Sequence, residues 1–222
     1  MGERRERERH EMRERIIDAA RKLFVTEGYD KTTLRRIAED IEYTPGAIYA
    51  YFKDKDSILY AVHERGFEEL GRRLTGVVVG ATDPRDALER VGREYIAFAR
   101  DNPEMYDLMF IAQATSRAMD EDEWPEGKRT YALLQAMVKV ALDGGWIAGG
   151  SVEAMSFLLW STAHGMASLQ IRERCKVIPL EDRARIQDDA LAVLMARMST
   201  GKTSADADPG KPRGARRGAP EA

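Results

Sequence analysis

The shortest predicted helix of this chain sets the strictest condition on its architecture. It lies in the segment TPGAIYAYFKDKDSIL, residues 44–59, and begins after Thr44, with Pro45 at the first helical position, where the missing N–H is no loss. A helix of this length is not stable alone in water, because it closes too few hydrogen bonds. Neighbouring helices must therefore cover its apolar side.

Two other apolar helical stripes precede this segment. The first comprises Ile16, Ala20, Leu23 and Phe24, and it stops at Gly28, a candidate C-cap. The second follows the candidate N-caps Thr32 and Thr33, and its inward positions are Leu34, Ile37, Ala38 and Ile41. Three short helices within about forty residues, with a tight turn between the second and third, predict a helix-turn-helix unit. The second helix of such a unit can enter the major groove of DNA.

The third helix has one apolar side and one nearly bare side. On a helical wheel, Ile48 and Phe52 point to the core. The opposite side carries Gly46, Ala50 and Lys53. Residues as small as glycine and alanine allow the backbone of a helix to approach the base edges closely.

The rims and the end of this helix carry groups that suit phosphates. Tyr49 and Tyr51 lie on the two rims, where their hydroxyls can reach the flanking phosphates, whereas Lys53 and Lys55 supply cations. The spacing of the two tyrosines is explained equally well if they are only amphipathic packing residues. Both interpretations stay open at this point.

Helical patterns also occupy the chain from there to residue 198. A fourth helix begins at Asp56 or Ser57, and the later starts are Asp83-Pro84, Asn102-Pro103, Trp124-Pro125, Ser151 and Pro179. No convincing strand is present. The sequence predicts an all-α fold of about nine helices. It divides into a charged arm (1–12), a helix-turn-helix head (13–60), a helical body (61–198) and a disordered tail (199–222).

Charge and composition limit the classes of function. The net charge is −3, and residues 1–60 balance 13 Lys/Arg against 13 Asp/Glu, so DNA binding must depend on where the cations lie. No run of about 18 uncharged apolar residues predicts a membrane span. The N-terminus lacks the apolar core of a signal peptide, and Cys175 is the single cysteine, so we expect a cytoplasmic protein.

The sequence has no pattern typical of catalysis or metal binding. The three histidines, His10, His63 and His164, are too scattered for their spacing to indicate a metal site. A Gly-x-Ser-x-Gly elbow and a Cys/His nucleophile pair are both absent. We therefore expect neither an enzyme nor a cofactor.

The run TLRRIAED, followed by TPGAIYAYFKDKDSIL, resembles the DNA-binding head of TetR-type transcriptional regulators, and AARKLFVTEGYDKTTL is similar to the family's first helix and turn. The resemblance implies phosphate contacts by Thr33, Tyr49, Tyr51 and Lys55. It implies positions near the bases for Arg35, Pro45, Gly46 and Ala47. Thr44, Lys53 and Arg36 complete the candidate surface, and a solvated helix side explains Arg36 equally well.

Two features of the head differ from the family's pattern or extend it. Glu42 and Tyr43 stand in the turn where the family usually has glycine and a small aliphatic residue. Glu42 must therefore adopt a left-handed conformation, or the turn must differ. The first fifteen residues contain six Arg and five Glu, which favours a solvated helix start over an arm that enters the minor groove.

The last two helices are apolar on more than one side. In the penultimate helix these positions are Val152, Met155, Leu158, Leu159, Ala163, Met166, Ala167 and Ile171. In the last helix they are Ile186, Ala190, Leu191, Val193 and Leu194. A helix of this kind needs more than its own domain to cover it, which predicts a homodimer through the last two helices. A monomer with a thick core is the alternative.

The body also carries residues that suit an effector pocket. Trp160, His164 and Gly165 resemble the Trp-x-x-x-His-Gly signature of one C-terminal class of these regulators. Candidate pocket residues are Met105, Tyr106, Met109, Phe110, Gln113, Tyr131, Trp160 and His164, with Met137. Residues of these types at helical spacing also suit plain core, and His164 also suits a structural hydrogen bond. The expected ligand is small and hydrophobic or aromatic.

Together these features predict a ligand-responsive transcriptional regulator that binds double-stranded DNA. The family resemblance favours a dimeric repressor that an effector releases from a near-palindromic operator. Two alternatives are an activator of the same family and a helical ligand-binding protein with a vestigial head. A helical protein-interaction module is a further alternative.

Overall fold

A computed structural model of the chain describes residues 2–110 and 125–203. Within these two ranges there are nine α-helices: α1 Gly2–Thr26, α2 Leu34–Asp40, α3 Pro45–Ile48, α4 Lys55–Val78, α5 Pro84–Asp101, α6 Pro103–Phe110, α7 Pro125–Asp143, α8 Val152–Ile171 and α9 Arg183–Met198. Two short 3-10 turns, Arg174–Val177 and Leu180–Asp182, connect α8 to α9. Within the described ranges the only β pairing is a single bridge, so the predicted all-α fold is confirmed.

The head is built from α1, α2, α3 and the first turns of α4 around one apolar core. Its most deeply buried members include Ile16, Leu23, Ile37, Ile48, Ile58 and Leu59. Ion pairs across the edges of this core join Lys22 to Asp40 and Arg65 to Asp18, both at 2.8 Å. The predicted helix-turn-helix arrangement is present, and α3 has the neighbours that its shortness requires.

Side-chain caps fix where the head helices begin. The hydroxyl of Thr33 accepts a hydrogen bond from the backbone N–H of Arg36 at 3.1 Å, which confirms Thr33 as the N-cap of α2. At α4, the side chains and backbone of Asp54 and Ser57 form a reciprocal capping box. This box starts α4 at Lys55, slightly before the predicted start.

The body packs around α5, which contacts α4, α7, α8 and α9. One buried cluster lies between α4, α5, α6 and α8, and it includes Leu70, Phe98 and Tyr106. A second lies between α7, α8 and α9. Val77 and Val78 pack against the first cluster, and α4 continues to Val78.

Two terminal segments differ from a simple arm and tail. Residues 2–12 belong to α1 and, except for half-buried Met12, are exposed, as a solvated helix start requires. Residues 199–203 of the predicted tail include donors to backbone carbonyls that follow the end of α7. Thr200 donates to the Gly145 carbonyl at 2.7 Å, and Lys202 donates to the Gly144 carbonyl at 2.6 Å. Residues 204–222 lie outside the described part of the chain.

Candidate DNA-binding surface and ligand cavity

The turn between α2 and α3 has a residue in the left-handed region. Glu42 has φ 61°, and the N–H of Tyr43 donates to the Ala38 carbonyl at 2.8 Å. This is the geometry that glycine favours after a helix. The turn therefore has the left-handed geometry that a glycine would give it, and Glu42 carries a conformational cost that glycine would avoid.

The outward side of α3 is bare. Pro45 and Gly46 are exposed, and Ala47 is half-buried. A Cβ atom added to Gly46 would meet no heavy atom within 4 Å, and its φ is not positive. Neither internal packing nor backbone conformation requires glycine here. The absence of a side chain at Gly46 leaves the outer side of α3 open to close approach.

The helix α3 ends at Ile48, so the predicted helical wheel does not continue to Lys53, and both tyrosines follow the helix. Their surroundings differ. The Tyr49 side chain is exposed, with 60% of its area accessible, and points away from the core. The Tyr51 side chain is half-buried and packs against the head core. The expected equivalence of the two rims is therefore only partial. Tyr49 is the more accessible of the two hydroxyl-bearing rings.

The cations next to α3 differ as well. Lys53 is exposed. Lys55 points inward: its ammonium donates to the Tyr29 carbonyl at 2.8 Å and lies 3.9 Å from the centre of the Tyr29 ring. The Tyr29 hydroxyl in turn donates to Asp56, and burial, followed by this contact with Asp56, raises the pKa of that hydroxyl. The predicted phosphate clamp at Lys55 is thus engaged within the head.

The remaining candidates lie along α2 and at the start of α3. Arg35 is exposed and pairs with Glu39 at 2.9 Å, and Arg36 pairs with Glu27 at 3.0 Å. Thr33 and Thr44 are exposed, and the Thr44 side chain makes no capping bond. The eleven candidate residues thus lie between the N-cap of α2 and the first residue of α4, and Tyr49, Tyr51 and Lys53 lie in the segment that joins α3 to α4. Their contacts with DNA stay predictions.

Two arginines of α1 that the sequence argument did not place lie beside α3. The guanidinium of Arg15 stacks over the Tyr43 ring at 5.5 Å, and that of Arg13 stacks over the Phe52 ring at 5.0 Å. The arginine-rich start of the chain was the available signal. Periodicity could not show which of its members reach the helix-turn-helix unit.

The body encloses a cavity of about 260 Å³ between α4, α5, α7, α8 and α9, reaching the end of α6. Its lining is mostly apolar and includes Phe67, Leu70, Leu74, Val91, Leu134 and Leu159. Among the predicted pocket residues, Phe110, Tyr131 and Trp160 line it. Gln113 lies outside the described residues.

Three residues of α6 predicted for the pocket do not line this cavity. Tyr106 and Met109 are buried, and Met105 packs between the head and body cores. The reason is the close approach of α4 to α6: a Cβ atom at Gly66 would lie 2.6 Å from the Met109 sulfur. Met137 does not line the cavity either, because it packs within the body cores.

A polar cluster lies at one wall of the cavity, and two of its members, Tyr95 and Trp160, line the cavity. The Trp160 indole N–H donates to the Tyr95 hydroxyl at 3.2 Å, and the Tyr106 hydroxyl lies 3.0 Å from that of Tyr95. His164 does not line the cavity; its Nδ1 lies 2.7 Å from the Tyr106 hydroxyl and its Nε2 lies 3.3 Å from Ser168 Oγ. Burial lowers the pKa of His164 and raises the pKa of both tyrosines. The cluster is therefore neutral and internally hydrogen-bonded, which is the structural role weighed for His164.

The outer sides of α8 and α9 expose apolar residues. Phe157, Leu158 and Leu169 are exposed on α8, and Val193 is exposed on α9. Gly165 lies on α8, and a Cβ atom there would meet nothing within 4 Å. In the part of the chain that is described, no helix combines the length and apolarity that a membrane crossing requires.

Two family models match this chain, one over the head and one over most of the body. The family model "Bacterial regulatory proteins, tetR family" matches residues 16–62, and "Tetracyclin repressor-like, C-terminal domain" matches residues 88–197. The HTH-type transcriptional regulator HbdR of Aromatoleum sp. (strain CIB) is 26% identical over 71% of this chain and 69% of its own length. The HTH-type transcriptional repressor Rv1474c of Mycobacterium tuberculosis is 30% identical over 58% of this chain and 61% of its own length.

Solved structures show the same fold. A TetR-family transcriptional regulator from Pectobacterium atrosepticum superposes with a TM-score of 0.68 at 22% identity, over 88% of this chain and 98% of the other. The fatty acid degradation regulator FadR of Bacillus halodurans gives 0.67 at 16% identity, over 82% and 94%. The two family models together cover more than half of the residues. The chain belongs to the TetR family of bacterial regulatory proteins.

Proposed function

We propose that this protein is a ligand-responsive transcriptional repressor. It binds a near-palindromic double-stranded operator as a dimer and is released by a small hydrophobic or aromatic effector. The observation that carries the proposal is the bare outward side of α3, where Gly46 serves no internal purpose. The relatives, named as transcriptional regulators and in one case as a repressor, support it.

The proposed DNA contacts follow from the exposure of each residue. Tyr49, Lys53 and Thr33 are exposed and suit phosphates, whereas exposed Gly46 and half-buried Ala47 suit close approach to the bases. Arg35 is long and exposed enough to exchange Glu39 for a base edge. The proposed surface comprises these residues with Arg36, Thr44, Pro45, Tyr51 and Lys55.

The proposed dimer interface is the outer side of α8 and α9. Phe157, Leu158, Leu169 and Val193 leave apolar area exposed on both helices, and Gly165 permits a second helix to approach. A two-fold axis through this surface would pair four helices and bury the exposed area. Two heads could then enter successive major grooves about 34–36 Å apart.

The proposed effector site is the cavity in the body. Its lining is mostly apolar, and the polar groups of Tyr95 and Trp160 in the lining already bond within the polar cluster, so a ligand's own polar groups would find few partners inside. This favours a hydrophobic or aromatic molecule of modest size. Phe110, Tyr131 and Trp160 would contact it.

Release requires that the effector favour one spacing of the two heads. A coupling of about 1–3 kcal/mol between effector and operator is the usual scale for such regulation.

We further propose that the body belongs to the class with the Trp-x-x-x-His-Gly signature. In this chain that signature places Trp160 at the cavity and His164 in the polar cluster behind it.

Selection of bound duplexes from a random pool tests DNA binding, with affinities then measured at increasing salt. The wild type should recover two-fold symmetric half-sites. Gly46→Leu should fold and lose at least tenfold in affinity, because a large side chain would hold the backbone of α3 away from the bases. Gly76→Leu is the matched control, since a Cβ atom there also meets nothing within 4 Å, but the residue lies on α4 in the body. A wild type that binds no duplex even at very low salt refutes the proposal.

Effector release is tested with the selected operator and aromatic or aliphatic probes such as naphthalene and decane-sized alcohols. A probe that binds the cavity should weaken operator binding by five-fold or more. Tight probe binding that leaves the operator affinity unchanged would contradict the coupling. A probe that strengthens operator binding, together with higher transcription from a reporter, would instead indicate an activator.

A further inference from the structure

The head has few cations free to neutralise phosphates. Its net charge with the arm is zero. Lys53 is exposed, but the other lysine and the two arginines of the candidate surface already have partners. Lys55 donates to the Tyr29 carbonyl, Arg36 pairs with Glu27 and Arg35 pairs with Glu39. If the proposed DNA binding is correct, further positive charge must come from another element.

We propose that Arg13 and Arg15 of α1 are two phosphate-binding residues that flank α3. Arg15 stacks on Tyr43, which immediately precedes the N-cap of α3, and Arg13 stacks on Phe52, one turn beyond its end. The two arginines thus stand at opposite ends of the helix that faces the groove. The inference rests on the proposed function and adds residues that the motif did not assign.

The packing of α1 explains how one helix can serve both ends of α3. Ile16 is buried in the head core, and Met12 packs against it, so this side of α1 faces α2, α3 and α4. On the helical wheel, Arg13 and Arg15 lie on the two flanks of the stripe formed by Met12 and Ile16. Each guanidinium therefore emerges at a different edge of the same contact.

Stacking leaves the chemistry of a guanidinium available for phosphate. A ring contact uses the flat face of the group, whereas the N–H donors point outward along its edges. One N–H of Arg15 lies 3.5 Å from the Ile41 carbonyl, which occupies at most one of its five donors. A planar fork held in place by a ring loses little freedom when it binds a phosphate in bidentate fashion.

Neighbouring carboxylates do not neutralise these two arginines. Within residues 2–110 and 125–203, neither Arg13 nor Arg15 forms an ion pair with Asp or Glu. Glu14, which stands between them in sequence, is held 3.2 Å from Arg65 on α4. Their charge is therefore available to an anion from outside.

The double variant Arg13→Gln with Arg15→Gln tests the inference in the full-length protein. Affinities for the selected operator and for a scrambled duplex are measured over a range of salt concentrations. Each lost phosphate contact removes about 0.9 from the slope of log affinity against log salt, so the double variant should flatten the slope by roughly two. Because phosphates carry no sequence information, both duplexes should lose affinity by a similar factor.

Arg21→Gln is the matched control, since Arg21 is an exposed arginine on the side of α1 opposite to the packed stripe. It should keep the wild-type slope. Tyr43→Leu, which removes only the ring beneath Arg15, should weaken binding to both duplexes by a smaller factor. Circular dichroism checks that each variant remains helical.

A wild-type slope in the double variant would overturn the inference while leaving DNA binding intact. Loss of affinity for the operator alone would also overturn it, because that result indicates base contacts. A wild type that binds no duplex would instead reject the proposed function itself.

Discussion

At the scale of single residues, Lys53 and Lys55 are two positions apart and have different surroundings. The Lys55 ammonium bonds to the Tyr29 carbonyl and lies on the Tyr29 ring, whereas Lys53 is exposed. Lys55→Ala should therefore lower the free energy of unfolding by about 1–2 kcal/mol. Lys53→Ala should leave stability unchanged and flatten the salt slope of DNA binding by about one.

Chemical denaturation and salt titration of the two lysine variants separate the roles. The family resemblance implies that Lys55 holds a phosphate, and a Lys55→Ala variant of full stability with a flatter slope would support that role. Loss of stability with an unchanged slope would assign Lys55 to the head. The contrast between two neighbouring lysines makes each the control for the other.

Glu42 gives a second test at this scale. Its φ of 61° is costly for a residue with a Cβ atom, and glycine adopts it freely. Glu42→Gly should raise the free energy of unfolding by about 1 kcal/mol. Glu42→Gln keeps the backbone cost and removes only the charge, so it should have wild-type stability. An equal gain in both variants would mean that the carboxylate, and not the backbone conformation, is the source of the cost.

At the scale of elements, the sides of α3 could be predicted because a helical wheel needs only spacing. Ile48 in α3 and Phe52 beyond its end are buried as predicted, and Gly46 is exposed. The helix itself ends at Ile48, before the predicted positions Ala50 and Lys53. The N-cap of α2 could be predicted for a similar reason, since Thr33 bonds within its own turn. Features that depend on a few consecutive residues are readable from the sequence.

The surroundings of α6 could not be predicted in this way. The sequence predicts that Tyr106 and Met109 line a pocket, but Met109 packs against α4 at Gly66, and Tyr106 bonds behind the cavity wall. Periodicity identifies the apolar side of a helix without identifying which helix covers it. The inward orientation of Lys55 is a similar case, because Tyr29 lies in the distant turn between α1 and α2.

The contact between α4 and α6 also predicts how stability depends on pH. His63 is buried beside Phe67, with its Nε2 3.2 Å from the Met109 carbonyl, and burial lowers its pKa to about 4. An unfolded imidazole has a pKa of about 6.5, so between these values the unfolded state binds more protons than the folded state. Stability should fall as the pH drops from about 6.5 to 4, by about 3 kcal/mol in total.

Urea denaturation of wild type and His63→Gln at a series of pH values measures this contribution. The variant should show a flatter dependence over the same window, even if it is less stable throughout. His10→Gln controls for the loss of a histidine, because His10 is exposed on α1. Parallel pH profiles for wild type and His63→Gln would show that the buried histidine is not the cause.

At the scale of the whole molecule, the body has properties that no single helix carries. The cavity is formed by residues from five helices and the end of α6, so its position and volume depend on how these helices pack. The apolar outer sides of α8 and α9 could be read from the sequence, because both helices are apolar beyond the stripe that one core can cover.

Matched substitutions on two helices test the proposed dimer. Val193 on α9 and Val140 on α7 are the same residue type with nearly equal exposure, 60% and 58%. Sedimentation of the wild type at micromolar concentration should give twice the 25.0 kDa chain mass, and Val193→Glu should weaken association at least tenfold, because an unpaired carboxylate would be buried in the interface. Val140→Glu should leave the mass unchanged, since α7 does not belong to the proposed interface.

A 25.0 kDa species for the wild type would favour the thick-core monomer, and equal dissociation by both variants would show that the interface lies elsewhere. In a dissociated variant each head can hold only one half-site, so operator affinity should fall with the dimer, whereas effector binding in the cavity should persist.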